Sequence, residues 1–592
     1  MTKALVQRTL MCAMLVGWGL NADSGRALAS FDPLLDDPGS RCAAPDLRGL
    51  RLLALGKTEN GPLPTLPTKA AHGTPHLYDD LGSYGYRLSK PASPRVQAWF
   101  DQGLRLAFGF NHAEAQRAFQ AAQKLDPACA LCFWGEALAL GPNINAPMDA
   151  EAHAPALVAL ARAVALKSKA SPSERGLIEA LEQRYSADPK AERAPLDAAY
   201  ADAMLALSKT HPADDLIAVL AAEAAMDTQP WDYWTDAGRT PKGRTAEVVR
   251  LLETVIARSP ENPAAIHLYI HAVEASDAPG RALAPAQTLA RLMPGAGHLV
   301  HMPAHIYYRM GLYRESLDAN VDAIRSDEGY FRTSASDPVY KLGYYPHNIH
   351  FLMVSAQMGG DAETALRAAA KLDAAIPLDF TRQYAFVQPV KAAPYLTHAQ
   401  FSAPKVVLAL PAPPEDLVLL RAFYHYARAV AQAGLHDEPA AKAEIAALEK
   451  LEASTDFKPF DDMAVPAKAI MQTARLVASA RLADADGDLD AAAGFYEQAI
   501  AIEDSLAYTE PPYWYYPIRQ SLGAVRLRQG KLDAAETALR DSLVRVRNNG
   551  WALSALAEVY KRKGDAGGER AARRAFTKAW FGPAEGPALT RL

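Results

Sequence analysis

Seven of the chain's fifteen histidines lie in one stretch: His267, His271, His298, His301, His305, His347 and His350. Their spacings of three and four residues put each group on one face of a helix. Two imidazoles one turn apart present two nitrogen donors on the same side, as helical metal sites do. Glu274, three residues after His271, adds an oxygen to that face. Nitrogen donors with a carboxylate and no thiolate suit zinc, copper(II), iron or nickel better than magnesium or calcium. Seven histidines exceed one tetrahedral shell. Either two ions are held, or some imidazoles orient the others or carry protons. In this reading His267, His271, His301 and His305 ligate, Glu274 is a further ligand or general base, and His298, His347 and His350 assist. Tyr308 and Arg309 follow the third group and would anchor a small anionic substrate beside the ion, a role that suits the guanidinium fork. The competing readings are a metal-free groove that receives a peptide or protein, and a set of solvated histidines with no chemistry.

The elements that must carry these residues are helices. From about residue 95 the apolar positions follow helical periodicity, and no strand-like alternation is sustained. Gly530 and Gly564 are 34 residues apart, as are Ala282 and Ser316, and Pro260 and Pro294. A helix–turn–helix period of that length is the signature of the tetratricopeptide repeat (TPR), so an all-α superhelical solenoid is predicted. Leu522, Gly523, Gly530, Ala535, Leu539 and Ser542 mark the clearest copy. Trp99, Gly103, Ala115, Phe119, Ala122 and Pro127 mark an early one. The small residues let helices approach, large ones fill the gap, and proline ends the second helix. In this register His267, His271 and Glu274 take the fifth, ninth and twelfth places of one repeat. His298, His301 and His305 take the second, fifth and ninth of the next, with Tyr308 and Arg309 at the twelfth and thirteenth, and His347 and His350 take the second and fifth of the one after. Resemblance to TPR proteins implies that these places line the concave groove.

The period is interrupted. Gly311 to Gly360 spans 49 residues and Gly487 to Gly530 spans 43. The second excess holds Tyr508, Tyr513, Trp514, Tyr515 and Tyr516, and insertions in solenoids commonly form loops on the binding face. The organisation expected is an irregular segment over 30–94, a first array over 95–375, a boundary over 376–418 containing Pro-Ala-Pro-Pro, and a second array over 419–592.

Half of the 592 residues are hydrophobic and 22% are charged, which excludes a disordered chain. A net charge of -5 argues against nucleic acid as a partner. Lys3 and Arg8, the apolar run Leu10–Leu20 and the ending Ala27-Leu28-Ala29 form the pattern of a secretory signal peptide. Cleavage near Ala29 would leave a periplasmic or secreted protein without a membrane span. Cys42, Cys129 and Cys132 would then meet an oxidising compartment. Cys129 and Cys132 form a CxxC followed by Phe133 rather than the His that haem attachment requires. A local disulfide, a bridge from Cys42 and two packed thiols all remain open. Gly56-Lys57-Thr58 lacks the first glycine of a phosphate loop, and Asp484–Asp490 lacks the glutamate that closes a calcium loop.

FNHAEAQRAF (110–119), DPACALCFWG (126–135), GPNIN (141–145), PWDYW (230–234), HLYIHAVEAS (267–276) and AGHLVHMPAHIY (296–307) together resemble a widespread group of exported bacterial TPR proteins. The resemblance covers most of the mature chain and implies an α-solenoid and export. That family usually carries one cysteine in the second motif, so Cys132 is a departure.

Overall fold

Glycine in the left-handed conformation turns one helix into the next at Gly311, Gly360, Gly487, Gly530 and Gly564, with φ between 70° and 81°. These are the glycines that set the period in the sequence. A computed structural model describes residues 75–334 and 339–592; the candidate leader, Cys42 and the Gly56-Lys57-Thr58 motif lie outside the described residues. Three of these turns are followed by a capping aspartate, Asp361, Asp488 or Asp565; the Asp361 side chain, for instance, accepts from the Thr364 N–H. Among the described residues, strand is confined to one two-residue pairing, Trp234–Thr235 with Thr240–Pro241. The chain is an all-α solenoid in which successive helices pack against one another from Pro94–Phe108 to Ala566–Ala579.

The repeat positions do the packing expected of them. The Phe119 ring is wedged against Gly103 on one side and Gly135 on the other, and a Cβ on either glycine would overlap it. Gly523 and Leu539 repeat the arrangement near the C-terminus. Residues 75–93 have no regular secondary structure, and Leu81 and Leu88 bury themselves against the first helices. The segment 376–418 contributes the helices Leu378–Gln383, Gln388–Phe401 and Pro404–Leu408 and buries Ile376, Phe386 and Val387. Cys129 and Cys132 are joined by a disulfide, the first of the three arrangements that the spacing left open.

The C-terminal repeats do not continue away from the histidines; they return to them. Tyr313 donates its hydroxyl to the Arg547 carbonyl at 2.9 Å, and the Trp551 indole N–H donates to Gln357 at 3.0 Å. The Phe581 N–H reaches the Gly359 carbonyl at 2.9 Å. This return explains why two turn glycines carry more than their conformation. Gly487, Gly530 and Gly564 face open space, whereas a Cβ on Gly311 would collide with the Arg547 carbonyl and one on Gly360 with the Trp580 ring.

Gly530→Ala is therefore expected to cost about 1 kcal/mol, the penalty of a side chain in the left-handed region. Gly311→Ala should cost about 3 kcal/mol, because it also displaces the returning C-terminal repeats. Urea unfolding followed by circular dichroism compares the two; equal losses would disprove the closure as a stabilising contact.

Candidate metal centre

His267 and His271 stand on the helix Pro263–Val273, which starts on the Asn262 cap with Pro263 at its first position. Every residue of this helix is buried, which explains why its sequence is apolar all round. The next group is divided by Pro303. His298 and His301 belong to the short helix Gly297–His301, and His305 to Pro303–Arg309. Proline lacks the N–H that would continue the ladder, so the chain breaks there without leaving the helical direction. His347 and His350 lie in Tyr345–Gly359, immediately after a π-turn at Tyr340–Tyr344. Such turns are frequent at functional sites.

The histidines assemble as two triads. His267, His271 and His298 form one, and His301, His305 and His347 the other; within each, one ligand atom per residue lies within 4.8 Å of the rest. Each triad surrounds a phenylalanine. Phe110 lies 4.5, 6.1 and 5.4 Å from the rings of His267, His271 and His298. Phe351 lies 5.0, 4.8 and 5.1 Å from those of His301, His305 and His347. Phe110 holds φ 56° at the turn after the first helix, the kind of position glycine occupies in the later repeats. A bulky residue in that conformation is strained, and here its ring forms the base of a triad.

Four imidazoles are oriented by acceptors on their Nδ1 side. His267 donates to the Phe108 carbonyl at 2.7 Å. His301 donates to Asn320 Oδ1 at 2.6 Å, and the Asn320 amide is itself set by its donation to the Ser316 carbonyl at 2.7 Å. Glu274 bridges the triads, with Oε1 3.0 Å from His271 Nδ1 and Oε2 2.6 Å from His305 Nδ1. An Nδ1 proton held in this way leaves the Nε2 lone pair to face inward. The Nε2 atoms of His267 and His298 are 3.1 Å apart, and those of His301 and His305 are 2.7 Å apart. His271 Nε2, His298 Nδ1 and His350 Nε2 are buried without any hydrogen-bond partner.

Burial governs the charge of the site. It pushes His267, His305 and His350 down to about 3, and it carries His271, His298, His301 and His347 well below the usual imidazole range, helped by repulsion among the histidines. All seven are thus neutral at pH 7, the form that ligates metals. Burial also pushes Glu274 up to about 8, against the pull of its contact with Glu510 and of Arg309. Glu510 is raised by burial and by the Glu274 charge. Two buried carboxyls in contact hold a proton between them.

Glu510 has no precedent in the histidine spacing. It comes from the aromatic insertion, where Tyr508, Thr509 and Glu510 form part of the wall of the histidine cavity, and it pairs with His305 Nδ1. The cavity has a volume of about 80 Å³, and His271, His298, His305, His347 and His350 face it. Asn145 and Trp231 also line it, although each reads in the sequence as an ordinary turn or core residue. The Trp231 indole donates to Asn145 Oδ1 at 3.2 Å and its ring stands edge-on to His271. Asn145 is placed by its loop, which Arg184 holds through the Pro142 carbonyl at 2.9 Å. Tyr308 and Arg309 are not brought to the histidine cavity. They line a second one of about 190 Å³ beyond Tyr508–Glu510. Arg309 donates to the carbonyls of Glu274 and Ser276 at 2.9 and 3.0 Å, so it holds the backbone behind the carboxylate.

No family model and no curated protein matches the chain. Among solved structures it is similar to a human IFIT1 dimer with m7Gppp-AAAA, at 14% identity over 81% of this chain and 96% of that one, TM-score 0.30. It is also similar to yeast Tom70, at 12% identity over 80% and 90%, TM-score 0.28. Likenesses of this size leave the site to be read from its own residues.

The strain at Phe110 gives a direct test of its role. Phe110→Ala and Phe110→Gly should both lose about 2–4 kcal/mol through the vacated ring space. The glycine variant should nevertheless be the more stable of the two by about 1 kcal/mol, reversing the usual order, because it relieves the left-handed backbone. Chemical denaturation of both variants checks this, and alanine equal to glycine would mean the turn is not strained.

Proposed function

We propose that this chain is an exported helical-repeat protein that binds two transition-metal ions and acts as a metalloenzyme. One ion would be held by His267, His271 and His298, and the other by His301, His305 and His347, with Glu274 between them. The observation that carries this reading is the pair of close Nε2–Nε2 approaches among buried, neutral imidazoles, four of which already have an acceptor on their Nδ1 side. Zinc–nitrogen bonds of about 2.0–2.1 Å place two tetrahedral nitrogens about 3.3 Å apart, close to the 3.1 Å between His267 and His298. His271 Nε2, buried without a partner, points the same way, since an orphaned polar atom is costly in a dry interior.

Three protein ligands beside an open cavity match catalytic zinc sites rather than structural ones, which are closed by four. A bound ion would supply Lewis acidity and a water of lowered pKa at the cavity. The chain's own contribution is to keep the imidazoles neutral and fixed. It also places the Glu274–Glu510 pair, which holds a proton, at the junction of the triads. A metal-free peptide groove fits less well, because the Tyr508–Glu510 segment lies over the histidines that an open groove would expose.

Elemental analysis of protein purified from the periplasm and reloaded with zinc is expected to give about two ions per chain. His267→Ala and His301→Ala should each lose one ion and the double variant both. A metal-free wild type after reloading would overturn the reading.

A further inference from the structure

The segments that break the repeat build one side of the histidine cavity. Leu342 and Pro346 come from the long interval between Gly311 and Gly360, and Ile376, Phe386, Val387 and Val390 come from the stretch that follows. All six line the cavity, and all but Pro346, which opens the helix Tyr345–Gly359, lie outside the solenoid register. They form an apolar wall to a space whose remaining lining is imidazole, the rings of Trp231, Tyr344 and Tyr508, and a few small or polar residues that include Asn145 and Glu510. Among the described residues no lysine or arginine lines it. The nearest guanidinium in sequence terms, Arg309, is engaged with two carbonyls and faces the other cavity. The volume of about 80 Å³ admits several waters or one small organic group.

From this lining we infer that the ligand is a small molecule or chain end with a metal-binding head and an uncharged, apolar body, rather than an anion anchored by arginine. The inference rests on the metal-binding reading above. The head would meet the histidine side, where an ion supplies the attraction. The body would lie against Val387, Val390 and Phe386, where a charge would be desolvated without a counter-ion.

The test uses the full mature chain loaded with cobalt(II), whose visible absorption reports on ligands entering the coordination shell. The probes are acetohydroxamate, benzohydroxamate and 4-carboxybenzohydroxamate, which share one head. Benzohydroxamate should bind at least about tenfold more tightly than acetohydroxamate, the scale of discrimination an apolar pocket provides. The carboxylated probe should lose that gain. Val390 is only partly buried, so Val390→Asp should erase the preference while leaving cobalt uptake intact, and Val390→Ala should keep most of it. Cobalt uptake with equal affinities, or with tighter binding of the carboxylated probe, would overturn the ligand class alone. Failure to take up cobalt would overturn both this inference and the metal reading.

Discussion

Imidazole lone pairs brought face to face in a dry interior are the constraint on which the centre of this molecule depends. His267 and His301 give their Nδ1 protons to fixed acceptors, so at Nε2 each has only a lone pair. Opposite them stand the Nε2 atoms of His298 and His305, at 3.1 and 2.7 Å. Two lone pairs at such distances repel unless a proton or a cation lies between them. Without an ion, protons can fill the role: His298 has a free Nδ1 side and can carry its proton on Nε2, and the proton of the Glu274–Glu510 pair can sit on the Nδ1 side of His305. Ion binding would release those protons, which makes the carboxyl pair part of the same balance as the histidines.

The positions of these protons are set by residues far apart in sequence. The Phe108 carbonyl that orients His267 belongs to the first helix, Asn320 to the helix after the second histidine group, and Glu510 to a repeat near the C-terminus. Arg184 holds the loop that presents Asn145, and the Trp234 indole donates to Ala272 in the histidine helix at 2.7 Å. Several short segments of the sequence thus converge: FNHAEA supplies Phe110, GPNIN supplies Asn145, PWDYW supplies Trp231, and the two histidine segments supply the donors. Their common property is proximity to one cavity, which a register of helices alone would not demand.

The repeat was legible because its signal is local. The left-handed turns at Gly311, Gly360, Gly487, Gly530 and Gly564 favour glycine, and their spacing is visible without tertiary information. The histidine groups were legible for the same reason, since intervals of three and four define a face. What the register could not show is that the groups divide around Phe110 and Phe351, because that depends on the angle between neighbouring helices. Glu510 was beyond reach as a site residue, although its insertion was recognisable by length and aromatic content. A carboxylate in a loop joins a site more than two hundred residues away only when the chain returns. Arg309 shows the opposite limit. Its place in the repeat is beside the histidines, yet its length lets it reach the carbonyls of Glu274 and Ser276 instead.

That return also separates this solenoid from an open scaffold. A peptide-binding groove must leave its concave residues exposed until the partner arrives, and polar groups there are satisfied by water. Here His267, His301 and Glu274 are fully buried, and their satisfaction comes from the chain itself or from an ion. The contacts of Tyr313 with Arg547 and of Trp551 with Gln357 keep the closing repeats in place. Closure strengthens every electrostatic interaction inside by excluding water. A fold whose usual product is a long open surface has been bent into one that surrounds a small cavity, and the seven histidines are what it surrounds.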